Sequence, residues 1–349
     1  MSPDLSRFDR VRAVRFADSV VYLLDQRLLP AEQIELRCET VAAVAQAITD
    51  LVVRGAPAIG ITAAYGAAMA ARQRLAEGGD FHTDWQTDLA LLGAARPTAV
   101  NLVWAIEQVR NACAGLSAED VVRVAQETAD EIARADLAAN YRMAELGAQL
   151  IEAGSGVLTH CNTGSLATGG LGTALGVVRA GVASGKVSRV YAAETRPWLQ
   201  GARLTLWELM QDGIEVQLVA DGGGAWLISQ GKVQWVIVGA DRVCANGDVA
   251  NKIGTLAHAC AARQFGAKFM VVAPWSTVDL GTASGDLIEI EQRDPNELLS
   301  YRGTQVAPDQ ARAYNPVFDV TPARLVDALV TERGVIIAPD TAKISALAD

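Results

Sequence analysis

The chain has 349 residues, of which 50% are hydrophobic and 20% are charged, and its 40 acidic and 30 basic side chains leave a formal net charge of −10. This composition is typical of a packed protein of about two domains and excludes an intrinsically disordered chain. The acidic balance excludes non-specific nucleic-acid binding, which requires a basic surface, so we expect no nucleic-acid partner. The five cysteines are odd in number and widely spaced. That spacing indicates a reducing, cytoplasmic compartment rather than a disulfide framework.

The first part of the chain is predicted to be mainly helical. A short strand is predicted at Val20–Leu24, and an amphipathic helix follows at 40–52. Pro57 and Pro97 each stand where a helix can begin without losing a backbone hydrogen bond. The apolar stretch between Arg54 and Arg72 is too short for a membrane span of about 20 residues, so it predicts a buried helix and no membrane partner. Residues 118–152 continue in helical period, as one long helix or two, and we expect an N-terminal domain at 1–150.

After Gly154 the pattern changes to alternating strands and helices. The predicted strands are 156–160, Val187–Ala193, 215–220, 233–239 and 268–273. The predicted helices lie within 168–184, at 198–212, near Ala225, at 252–265 and at 322–332. Apolar strands that alternate with helices favour an α/β fold class with a parallel, doubly wound sheet. We expect this second domain at 151–349.

Reactive and polar residues follow the predicted strands, at the edge where open parallel sheets bind ligands. Cys161 precedes a loop whose exposed backbone N–H groups can lower a thiol pKa. The alternative is a small buried apolar filler, which is the usual role of a lone cysteine. Asp241 follows an apolar strand, and loss of water there raises the pKa of a carboxyl into the range of a general acid. The alternative for Asp241 is a turn cap.

Two further segments predict a phosphate site. Asn251 and Lys252 are predicted to open a helix, and a lysine opposes the helix dipole there unless an anion is bound. Arg54, Gly55 and Ala56 precede the helix at Pro57 in the same way, with a surface cap as the alternative. The glycines of 170–176 do not fit a nicotinamide site, because they lie about ten residues beyond the strand and the last gap is one residue too long.

Six segments of the chain resemble, in order, the sequence pattern of the methylthioribose-1-phosphate isomerases. They are Arg54-Gly55-Ala56-Pro57-Ala58-Ile59-Gly60, Arg96-Pro97-Thr98-Ala99-Val100-Asn101-Leu102, His160-Cys161-Asn162-Thr163-Gly164, Glu194-Thr195-Arg196-Pro197 with Gln200-Gly201-Ala202-Arg203, 239–255, and Asn315-Pro316-Val317-Phe318-Asp319-Val320-Thr321-Pro322. Long motifs in order across nearly the whole chain are far more specific than a single glycine pattern.

The resemblance implies a smaller, mainly helical N-terminal domain and a Rossmann-like C-terminal domain that binds no dinucleotide. It implies a homodimer that converts 5-methylthioribose 1-phosphate to 5-methylthioribulose 1-phosphate in methionine salvage. Cys161 and Asp241 would be the catalytic pair. The substrate-binding residues would be Arg54, Gly55, Ala56, Arg96, Gln200, Asn251 and Lys252. The only expected partner besides a second copy is a small-molecule sugar phosphate, and we expect neither a metal nor a cofactor.

Three departures from the family pattern leave the substrate open. Ala193 stands where the family usually has Asp, 222–224 are all glycine, and Trp275 replaces a smaller residue. A related substrate, either 5-deoxyribose 1-phosphate or ribose 1,5-bisphosphate, is therefore an alternative. The same fold also forms non-catalytic regulatory subunits of a translation-initiation exchange factor, which is the alternative from another functional class. The sequence also leaves open whether hydrogen moves between C1 and C2 by hydride shift or through an enediol.

Overall fold

The structure is a computed structural model that describes residues 4–96, 99–301 and 303–348. It divides into two compact units. The helical unit comprises Leu5–Arg142 and Thr163–Gly172, and the sheet unit comprises Asp4, Met143–Asn162 and the chain from Thr173 onward. The helix start predicted at Pro97 lies outside the described residues.

The helical unit combines a small antiparallel sheet with long helices. The strands, in the order β1-β2-β3, are β1 (Val14–Ala17), β2 (Val20–Leu24) and β3 (Glu35–Cys38). The helices are α1 (Val41–Thr49), α2 (Ala56–Glu77), α3 (Phe81–Ala94), α4 (Val100–Ala112) and α5 (Ala118–Gln149), the last of which continues into the sheet unit. The predicted strand at Val20–Leu24 is confirmed, and the region predicted as one long helix or two is the single helix α5.

Helix α2 forms the centre of this unit. Every residue from Ala58 to Ala71 is buried, as the apolar composition of this stretch predicts. A Cβ atom at Gly60 would lie 2.9 Å from the carbonyl oxygen of Asn101, so only glycine lets the first turns of α2 and α4 approach this closely. Among the helices of the described residues, none is long and apolar enough to cross a membrane.

The segment Thr163–Gly172 packs within the helical unit, although Met143–Asn162 of the sheet unit separate it in the sequence from Arg142. The Gln26 side-chain amide donates to the carbonyl oxygen of Leu166 at 2.7 Å, and the Gly169 N–H donates to the Asp136 carboxylate at 2.7 Å. Gly55 has φ +91°, and a Cβ there would lie 2.5 Å from the Cβ of Ala167. The start of α2 is therefore fitted closely against this segment.

The sheet unit contains thirteen of the strands in the described residues. They are β4 (Ser155–Thr159), β5 (Val187–Ala193), β6 (Val216–Val219), β7 (Trp235–Val238), β8 (Arg242–Cys244), β9 (Val249–Lys252), β10 (Lys268–Val272), β11 (Val278–Asp279), β12 (Ser300–Tyr301), β13 (Thr304–Gln305), β14 (Phe318–Thr321), β15 (Ala328–Thr331) and β16 (Gly334–Ile337). The helices are α6 (Ala174–Ala183), α7 (Leu206–Gln211), α8 (Gly223–Ser229), α9 (Thr255–Phe265), α10 (Asn296–Leu299) and α11 (Thr341–Ala348). A π-helical turn, Gly201–Thr205, leads into α7.

Seven strands form the main sheet in the order β16-β15-β10-β7-β4-β5-β6. All neighbouring pairs are parallel except β15 and β16. The chain runs outward from β4 to β6 and then returns to place β7 on the other side of β4. This order confirms the predicted α/β class with a Rossmann-like sheet. The point at which the chain changes from adding strands on one side to adding them on the other lies between β4 and β7. A second sheet has the order β11-β8-β9-β14, and β12 and β13 form a hairpin.

Two of the predicted helices are wrong in position or kind. Asn251 and Lys252 do not open a helix, because they end strand β9, which pairs antiparallel with β14; α9 begins three residues later, at Thr255. The Asp319 carboxylate accepts the Gly254 and Leu256 N–H groups and so caps α9 from another strand. Residues 322–332 hold a short 3-10 turn and the buried strand β15, since a short apolar run does not distinguish a strand from a helix.

A buried ion network joins α6 to α7. The Arg179 side chain is fully buried, and its guanidinium lies 3.0 Å from the Glu208 carboxylate and 2.6 Å from the Asp212 carboxylate. The other Glu208 oxygen accepts the Asn162 side-chain amide at 2.9 Å. Because two carboxylates share this cation in a site without water access, the packing of the two helices depends on it.

Arg179→Met is expected to lower the free energy of unfolding by about 3–5 kcal/mol, because it leaves two buried carboxylates without their cation. Urea unfolding of both proteins measures the difference. Arg123 is the matched control, since it pairs with Asp120 and Glu127 on an exposed face of α5. Arg123→Met should leave the urea midpoint nearly unchanged. Equal losses in the two variants would contradict the importance of the buried network.

Candidate active site

Cys161 lies two residues beyond the end of β4 and adopts a left-handed backbone conformation, with φ +63°. Its N–H donates to the Thr195 hydroxyl oxygen at 2.8 Å. The Thr205 hydroxyl donates to its carbonyl oxygen at 2.6 Å. The residue is only 5% exposed. Both backbone polar groups of Cys161 are thus satisfied by threonine side chains.

Asp241 lies three residues beyond the end of β7, at the strand neighbouring β4. Its side chain is half-buried, and its N–H donates to the carbonyl oxygen of Ala250 at 3.0 Å. This bond connects Asp241 with strand β9, in which Asn251 follows directly. Asn251 is buried, and its side-chain amide donates to the Thr255 hydroxyl at the start of α9.

A histidine connects the Cys161 segment with the chain beyond β9. The His160 Nε2 atom lies 2.8 Å from the carbonyl oxygen of Ile253 and donates to it. Gly254 has φ +103°, and a Cβ at that position would lie 2.9 Å from the His160 ring. Lys252 directly precedes Ile253 in the chain, and its ammonium lies 4.3 Å from the centre of the Phe318 ring.

Gln200 is buried and immediately precedes the π-helical turn. Its side-chain oxygen accepts no hydrogen bond from the residues that the structure describes. The adjacent Gly201 lies against the end of β5, where a Cβ would be 1.7 Å from the carbonyl oxygen of Ala193 and 3.2 Å from the Thr195 hydroxyl. Gln200 is thereby held next to the threonine that binds Cys161.

Five of the nine predicted site residues belong to the sheet unit, in which Cys161 and Asp241 follow neighbouring strands of the main sheet and Asn251 and Lys252 end β9 of the second sheet. They are Cys161, Gln200, Asp241, Asn251 and Lys252. The other four, Arg54, Gly55, Ala56 and Arg96, belong to the helical unit. Within that unit, Arg54 is half-buried before α2 and Arg96 is half-buried before α4, and the starts of these two helices lie together at Gly60.

His160, which directly precedes Cys161, packs against a second histidine, His258. The rings of His160 and His258 meet edge to face, with their centres 4.9 Å apart. Burial lowers the pKa of His160 to about 4, and burial together with the neighbouring ring lowers the pKa of His258 to about 3. The pair is neutral at physiological pH. Gly224 makes room for it, because a Cβ there would lie 2.6 Å from the His258 ring.

The sequence analysis did not single out the residues that hold this site together. They are Thr195, Thr205, Glu208 and His258. Thr195 had a signal, since it belongs to a segment that matches the family pattern. The other three contact the site through distant parts of the chain, so neither spacing nor periodicity could have indicated them.

A sequence profile of the Initiation factor 2 subunit family matches residues 52–338. Methylthioribose-1-phosphate isomerase of Xanthomonas euvesicatoria pv. vesicatoria (strain 85-10) is 57% identical over 347 residues, which cover 98% of this chain and 97% of the relative. The crystal structure of 5-methylthioribose 1-phosphate isomerase from Pyrococcus horikoshii OT3 matches with a TM-score of 0.92 at 40% identity, covering 99% of this chain and 98% of that one. This chain belongs to the methylthioribose-1-phosphate isomerase family.

Membership in this family makes the protein an enzyme, a sugar-phosphate isomerase. The fold is shared more widely. The crystal structure of translation initiation factor eIF-2B, subunit delta, from A. fulgidus matches with a TM-score of 0.86 at 42% identity, covering 97% of this chain and all of that one.

Gly224→Ala is expected to lower the free energy of unfolding by about 1–3 kcal/mol, because the new methyl group collides with the buried imidazole of His258. Gly222→Ala is the matched control from the same glycine triplet, since a Cβ there meets no atom within 4 Å. In a His258→Ala background, Gly224→Ala should cost far less. If Gly222→Ala is as harmful as Gly224→Ala, the steric explanation is wrong.

The histidine pair also predicts a pH dependence of stability. Below about pH 6.5 the unfolded histidines take up protons while the folded ones stay neutral down to about pH 4, so the free energy of unfolding falls as the pH falls through this window. His258→Leu should make this decline shallower than in the wild type. Urea unfolding between pH 4.5 and 7.5 (about one measurement per half unit) tests the prediction. His82→Leu, which changes an exposed histidine, is the control and should keep the wild-type slope.

Proposed function

We propose that the protein converts 5-methylthioribose 1-phosphate to 5-methylthioribulose 1-phosphate in methionine salvage, with Asp241 as general acid and Cys161 assisting hydrogen transfer. One observation carries the proposal: Cys161 and Asp241 follow β4 and β7, which are neighbouring parallel strands. Between these two strands the order of the sheet reverses, because β5 and β6 are added on one side of β4 and the later strands on the other. Open parallel sheets bind their ligands at this point. The names of the relatives support the substrate.

The chemistry requires an acid at the ring oxygen. Because the phosphate blocks the anomeric oxygen, the sugar ring cannot open to a free aldehyde by itself. Proton donation from Asp241 to the ring oxygen allows the bond between this oxygen and C1 to break. The hydrogen on C2 then moves to C1, the C2 hydroxyl loses its proton, and C2 becomes the ketone carbon. The reaction is redox-neutral within one sugar, so the proposal needs neither a metal nor a nicotinamide cofactor.

The burial of Cys161 supports a direct hydride shift for the hydrogen transfer. Cys161, Asn162 and Thr195 are all at most 5% exposed. A site that excludes water limits exchange of the transferred hydrogen with solvent. In this route Cys161 accepts the C2 hydroxyl proton while the hydride moves. Turnover in D₂O should then leave the product without deuterium on C1, whereas an enediol route would introduce it.

The remaining site residues would hold the substrate. Arg54, Arg96 and Lys252 supply positive charge for the phosphate, and charge-assisted hydrogen bonds of this kind are the strongest that side chains make. Gly55 and Ala56 offer backbone N–H groups at the start of α2, which favour an anion. Gln200 and Asn251 are buried amides suited to sugar hydroxyls. We further propose that the protein acts as a homodimer.

Asp241→Asn and Cys161→Ser are expected to lower kcat by about 10²–10⁴ with folding intact, because each removes a proton-transfer group and preserves the shape of the side chain. Steady-state turnover of 5-methylthioribose 1-phosphate is the measurement. Asp309→Asn and Cys260→Ser change exposed residues of the same types and serve as controls. Near-normal turnover by either site variant would refute the role of that residue.

The substrate is tested by comparing 5-methylthioribose 1-phosphate, 5-deoxyribose 1-phosphate and ribose 1,5-bisphosphate under the same conditions. We expect the highest kcat/KM for the methylthio sugar. A clear preference for either of the others would reassign the substrate and keep the reaction. Absence of turnover on all three would refute the proposed substrate.

A further inference from the structure

We infer that Thr195 is a positioning residue for Cys161, whose side-chain hydroxyl, together with that of Thr205, fixes the backbone of Cys161 in the conformation that aims its thiol. The inference rests on the proposed function, since it assigns Thr195 a role only if Cys161 acts on the substrate. It adds a role for Thr195, a residue that lies in one of the family motifs but to which neither the motif nor the names of the relatives assign a function.

Cys161 and Thr195 are both in an unfavourable backbone conformation. Each has φ +63°, in the left-handed region that residues with a Cβ rarely adopt, and a β-branched threonine is especially disfavoured there. The two residues follow the paired strands β4 and β5 and are hydrogen-bonded to each other. Such conformations persist only where the surroundings hold them, and they are concentrated at functional sites.

The two hydroxyls act on opposite ends of Cys161. The Thr195 oxygen accepts the Cys161 N–H at 2.8 Å, and the Thr205 hydroxyl donates to the Cys161 carbonyl at 2.6 Å. Fixing the peptide groups on both sides of Cys161 fixes its φ and ψ, and these angles set the direction of the bond from Cα to Cβ. Through these two backbone hydrogen bonds the threonines set the direction in which the side chain leaves the backbone.

Hydrogen bonds to Ala193 and Asp221 fix Thr195 in turn. Its own hydroxyl proton is directed to the carbonyl oxygen of Ala193 at 3.1 Å, which leaves an oxygen lone pair for the Cys161 N–H. The N–H groups of Thr195 and Arg196 donate to the two carboxylate oxygens of Asp221, each at 2.8 Å. Asp221 thus stabilises the left-handed turn of Thr195, and the hydrogen bonds run in sequence from a carboxylate to the cysteine.

The experiment compares Thr195→Val with Thr195→Ser. Valine has nearly the shape of threonine but cannot accept a hydrogen bond, whereas serine retains the hydroxyl. Thr195→Val should lower kcat by about 10²-fold with KM changed by at most about 3-fold, because the misplaced group acts in the chemical step. Thr195→Ser should restore kcat to within about 3-fold of wild type. Thr321→Val is the matched control, since that buried hydroxyl has no hydrogen-bond partner among the described residues.

A second readout separates positioning from general stability. The rate at which iodoacetamide alkylates Cys161 is followed against pH by peptide mass spectrometry, with the exposed Cys260 as the internal reference. Thr195→Val should shift the pH profile of Cys161 relative to Cys260, and Thr195→Ser and Thr321→Val should not. If Thr195→Val does not fold, Thr205→Val removes the hydrogen bond at the carbonyl side and is tested for the same loss of kcat.

The outcomes distinguish this inference from the proposed function. Normal kcat in Thr195→Val, with Cys161→Ser inactive, overturns the positioning role and leaves the proposed function intact. Normal kcat in Cys161→Ser overturns the proposed function. A purely structural role would also overturn the inference. In that case the loss of activity in Thr195→Val would parallel its loss of thermal stability, Thr195→Ser would not restore activity, and the alkylation profile of Cys161 would not change.

Discussion

The parallel pairing of β4 with β7 is the constraint on which the site depends, because it brings together two strands that are far apart in the sequence. Val157 lies opposite Trp235 in this pair. Its register is set at the amino ends of the strands, where the Gln234 side chain accepts the Gly156 N–H at 2.7 Å and its backbone N–H donates to the Gly156 carbonyl at 2.9 Å. A side chain at 156 would lie 1.9 Å from the Lys232 carbonyl oxygen, so this register requires glycine. A slip of one residue here would move Cys161 and Asp241 relative to each other at the opposite edge.

The polar groups around Cys161 are arranged so that each side of its turn is supported by a buried or half-buried carboxylate. On one side, Asp221 holds Thr195, which binds the Cys161 N–H. On the other, Glu208 holds Asn162 and is balanced by Arg179. Buried polar networks of this kind rigidify a site when every member has a partner. The neutral histidine pair fills the adjacent space without adding a charge that would disturb either carboxylate.

Local patterns in the sequence predicted much of the fold. Val187–Ala193 is a strand with the predicted bounds, and its last four residues are a continuous buried apolar run. The placement of Cys161 and Asp241 after strands also followed from the sequence, since residues beyond an apolar run lie at the sheet edge. The helix start at Asn251 was wrong because the pairing of β9 with β14 joins segments about 70 residues apart, and no local signal reports such a partner.

The contacts that fix the site were beyond prediction for a related reason. A left-handed threonine has no sequence signature comparable to that of glycine, so Thr195 was visible only as part of a motif. The neutral state of His160 and His258 depends on burial by residues from several elements. Gly224 could be noted as a departure from the family pattern, but its partner on α9 was not apparent. Sequence periodicity reports which face of an element is buried, and not what lies against it.

The packing of Thr163–Gly172 within the helical unit has a consequence for dividing the protein into fragments. The chain leaves the sheet unit directly after Asn162 and returns at Thr173. Leu166 and Leu171 are fully buried in this segment. The Leu166 carbonyl accepts a hydrogen bond from the side chain of Gln26, which lies in the N-terminal part of the helical unit. A fragment that starts after residue 150 would carry this segment without its partners and would expose both leucines to water. An autonomous sheet unit would have to replace the segment with a short polar connection between Asn162 and Thr173.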